Sequence, residues 1–117
     1  MKQSKDCLFC KIANKEIKSN IIFENDKLLA FSDINPQAPV HILIIPKKHI
    51  TGLNEIGVAD KELLGEIQLA AKEIAEKNNI SKDGYRIVAN CGPNAGQAVD
   101  HIHYHLLGGR IFGWPPG

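Results

Sequence analysis

The sequence predicts an α+β fold: a mainly antiparallel sheet of about five strands, one long helix and a short N-terminal helix, in a single domain over residues 1–117. Five short stretches predict the sheet. Residues 20–24, 28–32, 40–45, 84–90 and the run from His101 alternate or run apolar at strand length and are bounded by turn-forming residues. Residues 60–78 repeat apolar side chains at helical spacing and predict the long helix. A chain of 117 residues, 44% apolar and 23% charged, is large enough for one ordinary core.

Residues 4–14 read as the short helix, because Leu8, Phe9 and Ile12 have helical spacing and place Cys7 and Cys10 on one face at i and i+3. A Cys-x-x-Cys pair serves as small core residues, a redox couple or half of a metal site. The redox form needs a preceding strand, for which the N-terminus leaves no room. The metal form needs two further ligands, and His49 and His101 are the candidates. Residues 20–24 and 28–32 form a hairpin around Asn25-Asp26, and Asp33-Ile34-Asn35-Pro36 ends its second strand in a turn.

The nearly continuous apolar run 40–45 suits a strand buried on both faces. His41 inside it is a buried, hydrogen-bonded histidine, bonded either to a backbone carbonyl or to another functional group. Pro46 stops the strand, and Lys47 and Lys48 after it read as solvated surface. On the long helix Leu63, Leu64, Ile67, Ala70, Ala71 and Ile74 form the apolar stripe, with Asp60 at the N-cap and most charges opposite. The strand over 84–90 empties into a loop at 91–98 whose glycines allow an anion-binding nest, although Gly-Pro-Asn is also ordinary turn chemistry.

His101-Ile102-His103-Tyr104-His105 alternates with period two. A strand here puts the three histidines on one face, roughly 6.6 Å apart in sequence along it, with Ile102, Tyr104 and Leu106 on the core side. Such a row suits coordination of a metal or handling of a phosphoryl group.

Together these motifs resemble the histidine triad family, in particular its nucleotide-binding, phosphoramidase branch. The resemblance rests on Asp6-Cys7-Leu8-Phe9-Cys10, on the stretch from Asp33 to Pro39, on Ile45-Pro46-Lys47-Lys48-His49, and on His101 to Arg110 with the terminal Trp114-Pro115-Pro116-Gly117. It covers essentially the whole chain. It implies a purine nucleoside phosphoramidate hydrolase that acts on an AMP or GMP conjugate through a covalent nucleotidyl-histidine. The resemblance makes His103 the nucleophile and groups His105, His101 and His41 with it as catalytic, His41 orienting a catalytic imidazole from behind. The nucleotide set it implies is Asp33 on the ribose hydroxyls, Leu8, Phe9, Phe31 and Ile34 around the base, and Asn90, Gly96 and Gln97 with His103 and His105 at the phosphate. It also implies a structural Zn2+ on Cys7, Cys10, His49 and His101, and a homodimer whose C-terminal tail lies near an active site. Ala98 departs from the family, where a hydroxyl residue is common, and leaves one phosphate or leaving-group hydrogen bond missing.

Two other readings remain at this level. In one, the triad holds a catalytic zinc with an open position. In the other, the chain is a nucleotide-binding interaction protein with incidental hydrolysis. Dinucleoside polyphosphate hydrolysis is a near alternative within the family. A net charge of +1 gives no footprint for nucleic acid. No apolar run is long enough for a membrane span, and three cysteines without an export signal suit a reduced, cytoplasmic protein.

Overall fold

The computed structural model describes residues 6–117. A short helix α1 (Leu8–Ala13) leads into a hairpin of β1 (Ile21–Glu24) and β2 (Leu28–Ser32), then β3 (Val40–Pro46), the long helix α2 (Lys61–Lys77), β4 (Tyr85–Val88) and β5 (Tyr104–Gly108). The sheet order is β1-β2-β3-β5-β4 and every neighbouring pair is antiparallel. This is the expected α+β architecture. The part of the expected N-terminal helix before residue 6 lies outside the described residues.

The centre of the sheet is covered on both sides. That is why β2 and β3 run apolar rather than alternating. On one face α2 lays Ile67, Ala70, Ala71 and Ile74 against Leu28, Ala30, Ile42, Ile44, Ile102, Tyr104 and Leu106. Leu63 and Leu64, at the N-terminal end of the stripe, are only partly buried. On the other face α1 packs Phe9, Cys10 and Ile12 on Leu29, Phe31, Leu43 and Ile45. Full burial of each Leu or Ile contributes about 1.5–3 kcal/mol, so both helices are held chiefly by these faces.

Several local features differ from the sequence reading. Asp60 occupies the N-cap position of α2 but does not cap it. Its carboxylate turns back to accept from the Gly57 N–H (2.9 Å) and pairs with Lys48 (2.9 Å), which together lower its pKa. Lys47 likewise pairs with Glu24 at 2.7 Å. Neither lysine is simply solvated surface. The strand β5 begins only at Tyr104, opposite Ile44. His101 and His103 therefore stand in a lead-in, bent at His101, rather than in the ladder, because β3 beyond Ile44 is not paired with β5. The alternation survives nonetheless, and Ile102, Tyr104 and Leu106 all enter the α2 core.

Candidate functional site

The face of the sheet that carries α1 also carries the histidines. His105 lies opposite Leu43 in the β3–β5 ladder and so projects toward α1. His103 precedes it by two residues, with ring centroids 5.1 Å apart, and Phe9 of α1 meets the His103 ring edge-on at 5.1 Å. His41 on β3 completes the group, 5.2 Å ring to ring from His105.

The hydrogen bonds assign the protons. The Gln37 N–H donates to Nδ1 of His41 at 3.0 Å, so a neutral His41 carries its proton on Nε2. That N–H faces Nδ1 of His105 at 2.9 Å and Oδ2 of Asp33 at 3.4 Å. His105 thereby accepts through Nδ1 and presents Nε2–H as a donor. His103 has the opposite arrangement: Nδ1–H donates to the carbonyl of His101 at 2.8 Å, which leaves the Nε2 lone pair unprotonated. Burial pushes His105 down to about 4, helped by His103 and His41 and opposed by Asp33. Burial also lowers His41, again opposed by Asp33. Both shifts favour the neutral rings.

Beside His103 and His105 lies a cleft of about 320 Å³ whose walls are almost wholly apolar. Leu8, Phe9, Phe31, Asp33 and Ile34 all line it, as do Ala98 and Val99. Asp33 combines two roles here: Oδ1 accepts from the Asn35 N–H at 2.8 Å, an Asx turn, while the carboxylate stands at the rim of the cleft. Ile12, Ile17, Lys18, Ser19, Ser32 and Leu43 also line the cleft, beyond the site residues expected from the sequence. Ile12 carried a signal, since it follows Leu8 by four residues on the same helix face. Leu43 carried none, because which face of a doubly buried strand borders a cleft depends on what packs there.

His101 does not join this cleft. It is fully buried, its Nε2–H donates to the carbonyl of Pro46 at 2.8 Å, and Nδ1 turns toward the cysteines. Nδ1 stands 3.2 Å from Cys7 Sγ, 3.5 Å from Cys10 Sγ and 3.2 Å from His49 Nδ1, and Cys10 Sγ is 3.3 Å from His49 Nδ1. These four ligand atoms converge on one point and could hold a metal ion. Burial lowers the pKa of His101 to about 4, which keeps its ligand nitrogen deprotonated. The three triad imidazoles thus do not converge with one another. His101 supplies its ring to the cluster and only its carbonyl to His103.

The glycine loop is less open than a nest. Gly92 (φ 84°) and Gly96 (φ 76°) adopt backbone conformations that disfavour other residues, and they close a turn around Pro93–Ala95. Within it the Gly96 N–H donates to Pro93 and the Gln97 N–H to Gly92. The Gln97 side chain accepts from Gly92 and donates to the carbonyls of Thr51 and Val99. The Gly96 and Gln97 amides are thus bonded within the loop, the Gln97 side chain ties the loop to Thr51 and Val99, and Asn90, Gly96 and Gln97 are not among the residues that line the cleft. At the far end of the chain, Arg86 and Arg110 stand 5.1 and 4.3 Å from the Phe112 ring centroid and anchor the start of the tail, while Trp114 beyond it is exposed.

Comparison with known proteins accords with this geometry. The HIT domain family model matches residues 14–111. A solved HIT family hydrolase from Legionella pneumophila superimposes with a TM-score of 0.95 at 54% identity, covering 96% of this chain and all of that one. The 14 kDa zinc-binding protein of Zea mays is 52% identical over 112 residues, 94% of this chain and 87% of the maize protein. Adenylylsulfatase HINT1 of Arabidopsis thaliana is 49% identical over 112 residues, 94% of this chain and 76% of its own length.

Proposed function

Because the chain belongs to the HIT domain family, we propose that it is a hydrolase that releases a purine nucleoside 5′-monophosphate from a nucleoside 5′-phosphoramidate. The observation that carries this reading is the complementary protonation of two adjacent imidazoles beside an apolar cleft: His103 offers a lone pair and His105 an N–H. The base enters between Leu8, Phe9, Phe31 and Ile34, and the Asp33 carboxylate accepts from the ribose hydroxyls. The phosphate then lies against the two imidazoles.

His103 Nε2 attacks the α-phosphorus while the P–N bond breaks, its electron pair departing on the nitrogen, which takes a proton from solvent as it leaves; the hydrolytic water returns that proton in the second step. His105 Nε2–H hydrogen-bonds a non-bridging oxygen as charge gathers there. Water then adds to phosphorus and His103 leaves as the neutral imidazole. Over the cycle one water is split, hydroxide to phosphorus and a proton to the amine. The His103–His101 carbonyl hydrogen bond fixes the tautomer and becomes stronger as the ring acquires positive charge during attack. With the loop amides engaged internally, His105 carries the oxyanion interaction. The Arabidopsis relative, named for adenylyl sulfate, supports sulfate as a second leaving group for the same nucleotidyl transfer.

Cys7, Cys10, His49 and His101 fit a tetrahedral Zn2+. Ligand atoms at about 2.0–2.3 Å from such an ion stand roughly 3.3–3.8 Å apart, close to the spacings here. All four positions are filled by protein, so the ion would tie α1 to the segments around His49 and His101 and leave no place for water. The maize relative's name supports the same assignment. We further propose a homodimer, in which the unpaired edge of β4 and the exposed Leu69, Ile111 and Trp114 find cover.

The test is hydrolysis of adenosine 5′-phosphoramidate by wild type and His103→Ala, with and without chelator. The expected result is a loss of more than about 1000-fold in kcat for His103→Ala, with little effect of chelator on turnover by folded protein. Chelator-sensitive turnover with the fold intact would move the chemistry to a metal, and absence of turnover would leave a nucleotide-binding protein.

A further inference from the structure

Asp33, His41 and His105 form a cluster whose ligand atoms lie close enough to suggest a second metal site. The hydrogen bonds argue against one. The only atom His41 could offer is Nε2, and Nε2 carries the ring's single proton because the Gln37 N–H occupies the lone pair of Nδ1 at 3.0 Å. Coordination there would demand an imidazolate. The geometry instead describes one proton shared with His105 Nδ1 at 2.9 Å, with the Asp33 carboxylate oxygen Oδ2 standing 3.4 Å from the same nitrogen.

We propose that Asp33 is a positioning residue for His105, acting through His41, in addition to accepting from the sugar. Its Oδ1 is held by the Asn35 N–H, which keeps the negative Oδ2 3.4 Å from His41 Nε2. His41 is held by Gln37 at Nδ1 and His105 at Nε2, so its ring cannot turn without losing one of these bonds. Nor can His41 shuttle the proton, since passing it to His105 would leave an imidazolate. Its part is to fix which nitrogen of His105 bears hydrogen. The titratable groups facing the pair are Asp33 from the end of β2 and His103 beside His105, and the carboxylate favours positive charge on both His41 and His105 where burial opposes it. One carboxylate therefore serves the sugar and the donor imidazole together, and occupancy by a ribose diol alters the charge felt by the pair. The kinetic part of this inference rests on the phosphoramidase reading.

The experiment compares wild type and Asp33→Asn on adenosine 5′-phosphoramidate and on its 2′,3′-dideoxy analogue across pH, alongside a ¹⁵N NMR titration of the histidines in the protein without substrate. Asparagine retains the oxygen that accepts from Asn35, and the melting temperature checks that the fold is kept. The expected result is a fall of about tenfold in kcat on both substrates, the size typical of outer supporting residues, with the acidic limb of the rate profile displaced to lower pH. In the NMR titration the midpoint of His41 moves to lower pH. If the variant and wild type match in kcat and acidic limb on the dideoxy substrate, the carboxylate only binds the diol and the inference falls. Should wild type hydrolyse no phosphoramidate, the phosphoramidase reading fails by itself. The NMR titration then decides alone: an unmoved His41 midpoint overturns the positioning role and a lowered one upholds it.

Discussion

Two histidines separated by one residue, His103 and His105, differ in what they offer because their Nδ1 atoms meet different partners. A carbonyl of the chain's own backbone accepts a hydrogen bond from one, and a neighbouring imidazole donates a hydrogen bond to the other. Neither assignment needs a charged ring. The depressed values of His41 and His105 have a consequence for stability. Unfolded, each titrates near 6.5; folded, each is lower, His105 at about 4. Between those values the unfolded chain binds more protons, so these groups stabilise the fold fully above pH 6.5 and less as pH falls toward 4. We expect urea unfolding of wild type to show stability rising from pH 4.5 to 7, and His105→Gln to show a shallower rise. Comparing the two curves removes the contribution of the metal cluster, which both proteins share. Equal slopes would mean that His105 does not titrate in this way.

Among the elements, β5 depends most on what surrounds it. It is bordered on both edges by β3 and β4, and its last residue, Gly108, passes directly under Ile80. A Cβ at Gly108 would lie 2.6 Å from Ile80 Cδ1 and 2.9 Å from its Cβ. Gly108→Ala must therefore displace the segment that follows α2, at a cost of about 1–3 kcal/mol, seen as a melting temperature lowered by roughly 4–15 °C. A variant that melts with wild type would show that the segment yields freely. The elements also mark where the sequence could be read and where it could not. The alternation through His101–Leu106 correctly separates a core side from a histidine side, because period two follows from extended backbone whether or not it is hydrogen-bonded. It could not say that pairing starts only at Tyr104, since that depends on where β3 runs out of partner.

For the whole molecule, the Cys7–Cys10–His49–His101 cluster joins chain segments distant in sequence, with |i−j| of 94 between Cys7 and His101. A metal bound there would crosslink α1, the residues after β3 and the lead-in to β5. We expect removal of the ion by chelator to lower the melting temperature by about 10 °C, corresponding to roughly 2–3 kcal/mol of binding linkage, and readdition of Zn2+ to restore it. No change on chelation, with metal analysis confirming an empty protein, would reduce the cluster to four packed side chains. In the described residues no helix is long and apolar enough to cross a membrane.

Local pattern alone determined the elements of this protein: strand periodicity, the stripe of α2, the turn at Asp33, and the residue types able to handle a phosphoryl group or a metal. These follow from interactions within a few residues, which any stretch of chain carries with it. Tertiary structure decided which partner each histidine meets. His101 turns to the cysteines, His41 meets His105 and Asp33, and the loop amides donate to carbonyls of the same loop. Each outcome turns on a hydrogen-bond partner brought near by the sheet, and the proton on an imidazole goes where that partner directs it.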